Sequence, residues 1–168
     1  MTPEEYIKAY TPDAKKVQTI TGMDYRISLT QGALESSWGT KAPGFNFFGI
    51  KDTDGVNGNE QLITTTEYLS TPNAKFPSVI SIIKQGVNRF KYTVKDWFRK
   101  YPSAEMAFAD HANFIIKNPR YSEAVKVMND PMKFFDAVAA AHYATAPNYA
   151  QELKEVYHSV VIRLPKTT

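Results

Sequence analysis

The 168-residue chain contains no cysteine. A disulfide framework, a thiolate metal site and a thiol nucleophile are therefore excluded. Histidine is nearly as scarce. His111, His142 and His158 lie far apart and make no metal-ligand spacing, so no metal and no cofactor is expected. No apolar run has the length of a membrane span. No dense Lys/Arg run is present, and a net charge of +3 tolerates an anionic polymer without demanding one. Nucleic acid is accordingly not an expected partner. The opening segment, "MTPEEYIKAYTPDAKK", lacks the apolar stretch of a secretory signal. Action outside the cytoplasm would then imply delivery by a phage or excision from a longer protein.

What the chain does have is apolar and aromatic material for a core. Hydrophobic residues make up 43% and aromatics 13%, with ten Tyr and ten Phe. That suits a single globular domain able to stand without staples. Thr2-Pro3 reads as a helix start, and Thr11-Pro12 as a second start whose helix closes at Gly22. Asp24 caps a third helix that runs to Gly39. "KAPGFNFFGIK" (41–51) is an ordered loop packed by phenylalanines, followed by the turn-rich "DTDGVNGNE". "LITTTEYLS" reads as a strand over 62–69, and the alternation of Phe90, Tyr92 and Val94 as another. The segment 78–84 fits a short helix or a strand. From Ser103 onward the pattern is helical again, broken at Asn118-Pro119, restarted at Asp130-Pro131 and again at Pro147-Asn148. The fold class is α+β, mainly α, in one domain of two lobes. A helical lobe covers 1–49 and 101–164, and a small β-lobe covers about 50–100.

One helix end stands out. In "ISLTQGALESSWG" (27–39), Ile27, Gln31, Leu34 and Trp38 make a helical stripe, with Glu35 beside it. A carboxylate near a helix C-terminus meets the negative end of the dipole, and an adjacent tryptophan removes water. Both disfavour the charged form and raise the pKa, as a general acid requires near neutral pH. Spacing alone favours an ordinary surface carboxylate. Asp110-His111 looks like an acid–base pair, but adjacent helical residues point apart, so Asp110 reads as a buried structural carboxylate.

"ALESSWG" (33–39), "NFFGIK" (46–51), "TTEY" (65–68), "FRKYPS" (98–103), "DHANF" (110–114), "NPRY" (118–121) and "YATAPNYA" (143–150) follow one another in order. This series resembles the glucosaminidase family of bacterial peptidoglycan hydrolases, glycoside hydrolase family 73, which includes flagellar muramidase domains and autolysins. The resemblance covers roughly residues 25–160. It implies a lysozyme-like helical body with a β-hairpin lobe flanking the cleft. It implies Glu35 as general acid, Glu67 of "TTEY" as the second carboxylate and Tyr143 as a residue that hydrogen-bonds the sugar or its N-acetyl group. Glu67 has three open roles: activating water, stabilising the oxocarbenium ion, or supporting attack by the substrate's own N-acetyl group. Asn46 and Phe48 are expected to shape the cleft floor, with Gln31, Tyr149 and Trp38 completing the candidate substrate contacts. Trp38 also fits packing behind the acid.

The expected activity is endo-β-N-acetylglucosaminidase cleavage of peptidoglycan glycan strands, by a monomer acting in the cell wall or periplasm. N-acetylmuramidase or lytic transglycosylase action is the alternative, and a non-catalytic wall-binding or assembly module the alternative of another class. The chain departs from the family pattern at Ala146, where an aspartate is usual, and at Phe47, where leucine is usual. It also departs in the long stretch from Leu69 to Trp97. The added "FPSVISIIKQG" suits a cleft cover, a recognition element or a docking element.

Overall fold

The computed structural model describes residues 1–166. The chain divides into two compact units, Met1–Phe48 with Tyr101–Thr168, and Gly49–Lys100. The first is helical. Among its described residues it carries α1 (Pro3–Thr21), α2 (Tyr25–Ser36), α3 (Ala104–Lys117), α4 (Ser122–Val125), α5 (Pro131–Ala140) and α6 (Tyr149–Val161).

The helix starts follow from their caps. The Thr2 hydroxyl accepts from the Glu5 N–H at 3.1 Å, and the Glu5 carboxylate accepts from the Thr2 N–H at 2.7 Å. Such a reciprocal cap is worth about 1 kcal/mol. Asp24, Ser103 and Asp130 accept from the N–H groups of Arg26, Met106 and Lys133 in the same manner.

The expected break at Thr11-Pro12 does not occur, and α1 runs through Pro12. Proline inside a helix forfeits one backbone bond, at about 3 kcal/mol. Here Tyr6, Ile7, Thr11, Ala14 and Val17 bury one continuous face on both sides of it. Burying a large apolar side chain yields about 1.5–3 kcal/mol, so the face outweighs the proline. Thr11 does not cap; its hydroxyl donates to the Ile7 carbonyl at 2.6 Å.

Helix α2 is the centre of this unit. It packs against α1, α3, α5 and α6, and residues 27–33 with Ser36 are all buried. The narrow stripe read from the sequence is therefore part of a helix covered nearly all round. Gly32 permits this closeness: a Cβ there would lie 2.5 Å from the Tyr6 hydroxyl oxygen and 3.1 Å from the Phe108 ring. Tyr6 in turn donates to the Leu29 carbonyl at 3.0 Å.

The second unit is a three-stranded antiparallel sheet in the order β1-β3-β2, formed by β1 (Glu60–Leu69), β2 (Ser78–Gly86) and β3 (Arg89–Arg99). The expected two-stranded hairpin thus gains a third strand, because "SVISIIKQG" pairs along β3 instead of forming a helix. Its β-branched residues favour the pleated conformation. In the β1–β3 register, Ile63, Thr65 and Glu67 face Asp96, Val94 and Tyr92. Directly opposed residues point to the same side of a sheet, so Glu67 and Asp96 share a face with buried Tyr92 and Val94.

Candidate active site

Glu35 sits in the last turn of α2. The helix stops there because Ser37, Trp38 and Gly39 take left-handed backbone angles, with φ of 50°, 57° and 78°. Ser36 locks this end: its hydroxyl donates to the Gly32 carbonyl at 2.5 Å and accepts from the Gly39 N–H at 2.8 Å. Trp38 packs edge-on against Tyr6, at 5.7 Å between ring centroids, which is a packing role.

The Glu35 side chain opens to solvent, yet one carboxyl oxygen rests against the wall formed by α6. The Tyr149 hydroxyl donates to Glu35 Oε1 at 2.9 Å. Desolvation raises the Glu35 pKa above the ordinary glutamate range. The Tyr149 hydrogen bond opposes the shift, and the nearby charge of Glu152 adds to it. The hydrogen-bond partner of the carboxyl is a neutral donor, and among the described residues no cation forms an ion pair with it.

Tyr149 is 3% exposed, and the Gln31 amide nitrogen lies 3.5 Å behind its hydroxyl. Burial raises the phenol pKa, and Glu35's charge raises it further. It therefore stays protonated, donating to Glu35 while accepting from the Gln31 amide. The sequence reading places Gln31 and Asn46 among the substrate contacts. The structure buries both, at 0% and 3% exposure, and a side chain without accessible surface offers a sugar nothing to touch. Gln31 instead backs Tyr149.

Tyr143 stacks on Tyr149, with ring centroids 5.7 Å apart and planes 6° from parallel. Its position follows from how α5 ends. The Tyr143 N–H donates to the Val138 carbonyl at 3.1 Å, and His142 takes a φ of 58°. The Arg120 guanidinium of "NPRY" donates to the Ala141 and His142 carbonyls at 2.7 and 2.9 Å. A cation at a helix C-terminus is favourably placed, so "NPRY" holds the "YAT" turn. Burial raises the Tyr143 pKa, and the Glu35 charge contributes.

The Tyr143 hydroxyl also lies 2.7 Å from His111 Nε2. His111 stacks flat on Phe48 at 3.7 Å, within 5° of parallel. Its burial lowers the imidazole pKa to about 3. Asp110 is the exposed neighbour, contrary to its reading as a buried carboxylate, and accepts from the Tyr101 hydroxyl at 2.5 Å. The two adjacent residues do point apart. The sequence reading buries the wrong one of the two: the buried face of α3 takes in His111 with Ala107, Phe108, Ala112 and Ile115.

In the sheet unit, Glu67 is engaged. Lys51 Nζ lies 2.7 Å from Glu67 Oε1 and 3.1 Å from Asp96 Oδ2. Partial burial works against the ammonium, but hydrogen bonds to both carboxylates raise the Lys51 pKa on balance. The sequence motif "NFFGIK" contains this lysine, but only the β1–β3 register reveals its partners. Among the described residues, no group of three or more His, Asp or Glu side chains could hold a metal ion. No helix among them is long and apolar enough to cross a membrane.

A family model described as Glucosaminidase, mannosyl-glycoprotein endo-beta-N-acetylglucosaminidase, matches residues 11–161. The chain belongs to the glucosaminidase family. Membership makes it a glycoside hydrolase domain. The peptidoglycan hydrolase FlgJ of Pseudomonas aeruginosa is 29% identical over 160 residues, covering 91% of this chain and 36% of that protein. FlgJ of Salmonella typhimurium is 31% identical over 157 residues, covering 89% and 44%. The chain thus spans less than half the length of these curated relatives. Among solved structures, the C-terminally truncated glycoside hydrolase domain of S. typhimurium FlgJ aligns over 96% of this chain and 99% of its own. Its TM-score is 0.72 at 29% identity. The catalytic domain of the autolysin Auto from Listeria monocytogenes, at 22% identity and TM-score 0.71, shares the fold.

Proposed function

We propose that the chain hydrolyses the glycan strand of bacterial peptidoglycan as an endo-β-N-acetylglucosaminidase, with Glu35 as the general acid. The observation that carries this reading is the Glu35 carboxyl at the end of α2, partly desolvated and, among the described residues, bonded to a neutral tyrosine hydroxyl. The family match and the peptidoglycan hydrolase names of the relatives support the substrate class. Glu35 gives its proton to the leaving glycosidic oxygen as the C1–O bond breaks. A water oxygen then bonds to C1, and its proton passes to a second carboxylate, for which Glu67 is proposed. Tyr143 donates to the sugar hydroxyl or N-acetyl oxygen beside Glu35. The reaction needs no cofactor. The enzyme works as a monomer in the cell wall or periplasm.

A second reading is lytic transglycosylation after N-acetylmuramic acid, in which a hydroxyl of the substrate replaces water. The observation favouring it is the engagement of Glu67 by Lys51, because this reaction needs no second carboxylate. Mass spectrometry of digested peptidoglycan separates the readings. Reducing-end N-acetylglucosamine is expected, and anhydro-muramic ends would transfer the assignment to the second reading. Binding to glycan with no product at any pH would make the chain a wall-binding module instead.

A further inference from the structure

His111 is buried on α3, 1% exposed, and nothing in the proposed reaction employs it. Its Nε2 meets the Tyr143 hydroxyl, Phe48 fixes its ring plane, and its Nδ1 has no hydrogen-bond partner among the described residues. Burial keeps the ring neutral, so it carries a single N–H on one nitrogen. With the proton on Nδ1, a buried N–H is orphaned, and Nε2 consumes the Tyr143 proton as its acceptor. With the proton on Nε2, that N–H is satisfied by the tyrosine oxygen, and only a lone pair is orphaned. Orphaned buried N–H groups are the rarer and costlier kind. The second arrangement therefore prevails, and it makes Tyr143 an acceptor toward the histidine.

We propose that His111 is a positioning residue whose Nε2–H donates to the Tyr143 hydroxyl and so reserves the tyrosine proton for an acceptor other than the histidine. Resting on the function proposed above, that acceptor is the hydroxyl or N-acetyl oxygen of the sugar beside Glu35. The surroundings fit this orientation. Tyr143 lies against Tyr149, whose own proton is already committed to Glu35. Of the two stacked phenols, one serves the acid and the other is left with a proton to offer substrate. Phe48 then acts through His111: its flat contact prevents the imidazole from turning away from the tyrosine oxygen.

The test is a two-bond proton–nitrogen NMR correlation of the imidazoles in the native, nitrogen-15-labelled protein at neutral pH. The His111 signals are assigned by their loss in His111→Gln. The expected result is a protonated Nε2 and a bare Nδ1. A protonated Nδ1, or a doubly protonated ring, overturns the proposal whatever the enzyme cleaves. Turnover supplies the second arm. His111→Leu, which removes the donor, should lower kcat roughly tenfold, the scale of one hydrogen bond, with KM nearly unchanged. His111→Gln, whose amide can donate from a similar position, should recover most of that loss. In a Tyr143→Phe background, His111→Leu should cost nothing more; a full independent loss there overturns the proposal. If Tyr143→Phe alone retains full turnover while Nε2 is protonated, the tautomer stands and the sugar contact falls. The two failures are thus distinguishable.

Discussion

In the helical unit, Glu35 is held by a neutral phenol and partly stripped of water. In the sheet unit, Glu67 is held by the ammonium of Lys51, which Asp96 shares. The same side chain thus sits in opposite electrostatic company. A neutral donor and desolvation leave the Glu35 carboxyl favouring its protonated form, whereas Glu67 is tied into an ion pair with Lys51. The first environment suits giving a proton.

The largest effect should come from breaking the acid. Glu35→Gln is expected to lower cleavage of purified peptidoglycan by about 10²–10⁴-fold, the range of general acid catalysis. Its melting temperature at neutral pH should be unchanged or slightly higher. Because the folded pKa is raised, ionisation opposes the native state as pH rises above the unfolded value, and glutamine removes that opposition. A folded Gln variant with native turnover would remove Glu35 from the mechanism.

Glu67→Gln should cost less, about 10–10²-fold in kcat, when read as release of the new reducing end. Equal loss in the two glutamine variants would erase the contrast drawn between them. Next comes the packing that holds α2. Gly32→Ala should destabilise by about 1–3 kcal/mol in urea unfolding, because the new methyl meets Tyr6 and Phe108 in a filled core. A neutral result would mean that this crowding relaxes freely.

The smallest effect is Lys51→Met. The pair is partly exposed, with Lys51 at 44% and Glu67 at 26% side-chain exposure, so the stability change should stay under about 1 kcal/mol. If Lys51 orients Glu67 for the reaction, kcat should fall, but by less than in Glu67→Gln. An unchanged kcat would make Lys51 a structural residue only.

Much of this contrast was legible in residue order, and some was not. Caps are local chemistry, so Thr2, Asp24, Ser103 and Asp130 marked helix starts correctly. "ALESSWG" located the helix end carrying Glu35. Pro12 misled because its local penalty is set against a face completed only by tertiary packing. Residues 78–86 were ambiguous for a related reason: a short β-branched run needs a partner strand, and β3 follows it in sequence. Gln31 stood among the candidate contacts, one turn before Glu35. Its burial became visible only when α6 brought Tyr149 to it. His111 and Lys51 were hidden because their partners lie 32 and 16 residues away, distances over which no spacing rule operates.

The measurement closest to the centre of the account is a carbon-13 NMR titration of the Glu35 carboxyl in the native protein and in Tyr149→Phe. The native carboxyl should titrate above the ordinary glutamate range. Removing the tyrosine hydroxyl, which opposes the shift, should move it higher still, and the alkaline limb of kcat/KM should follow. A Glu35 that titrates as an ordinary surface glutamate, or that falls when Tyr149 loses its hydroxyl, would contradict the claim that this helix end is built to hold a proton.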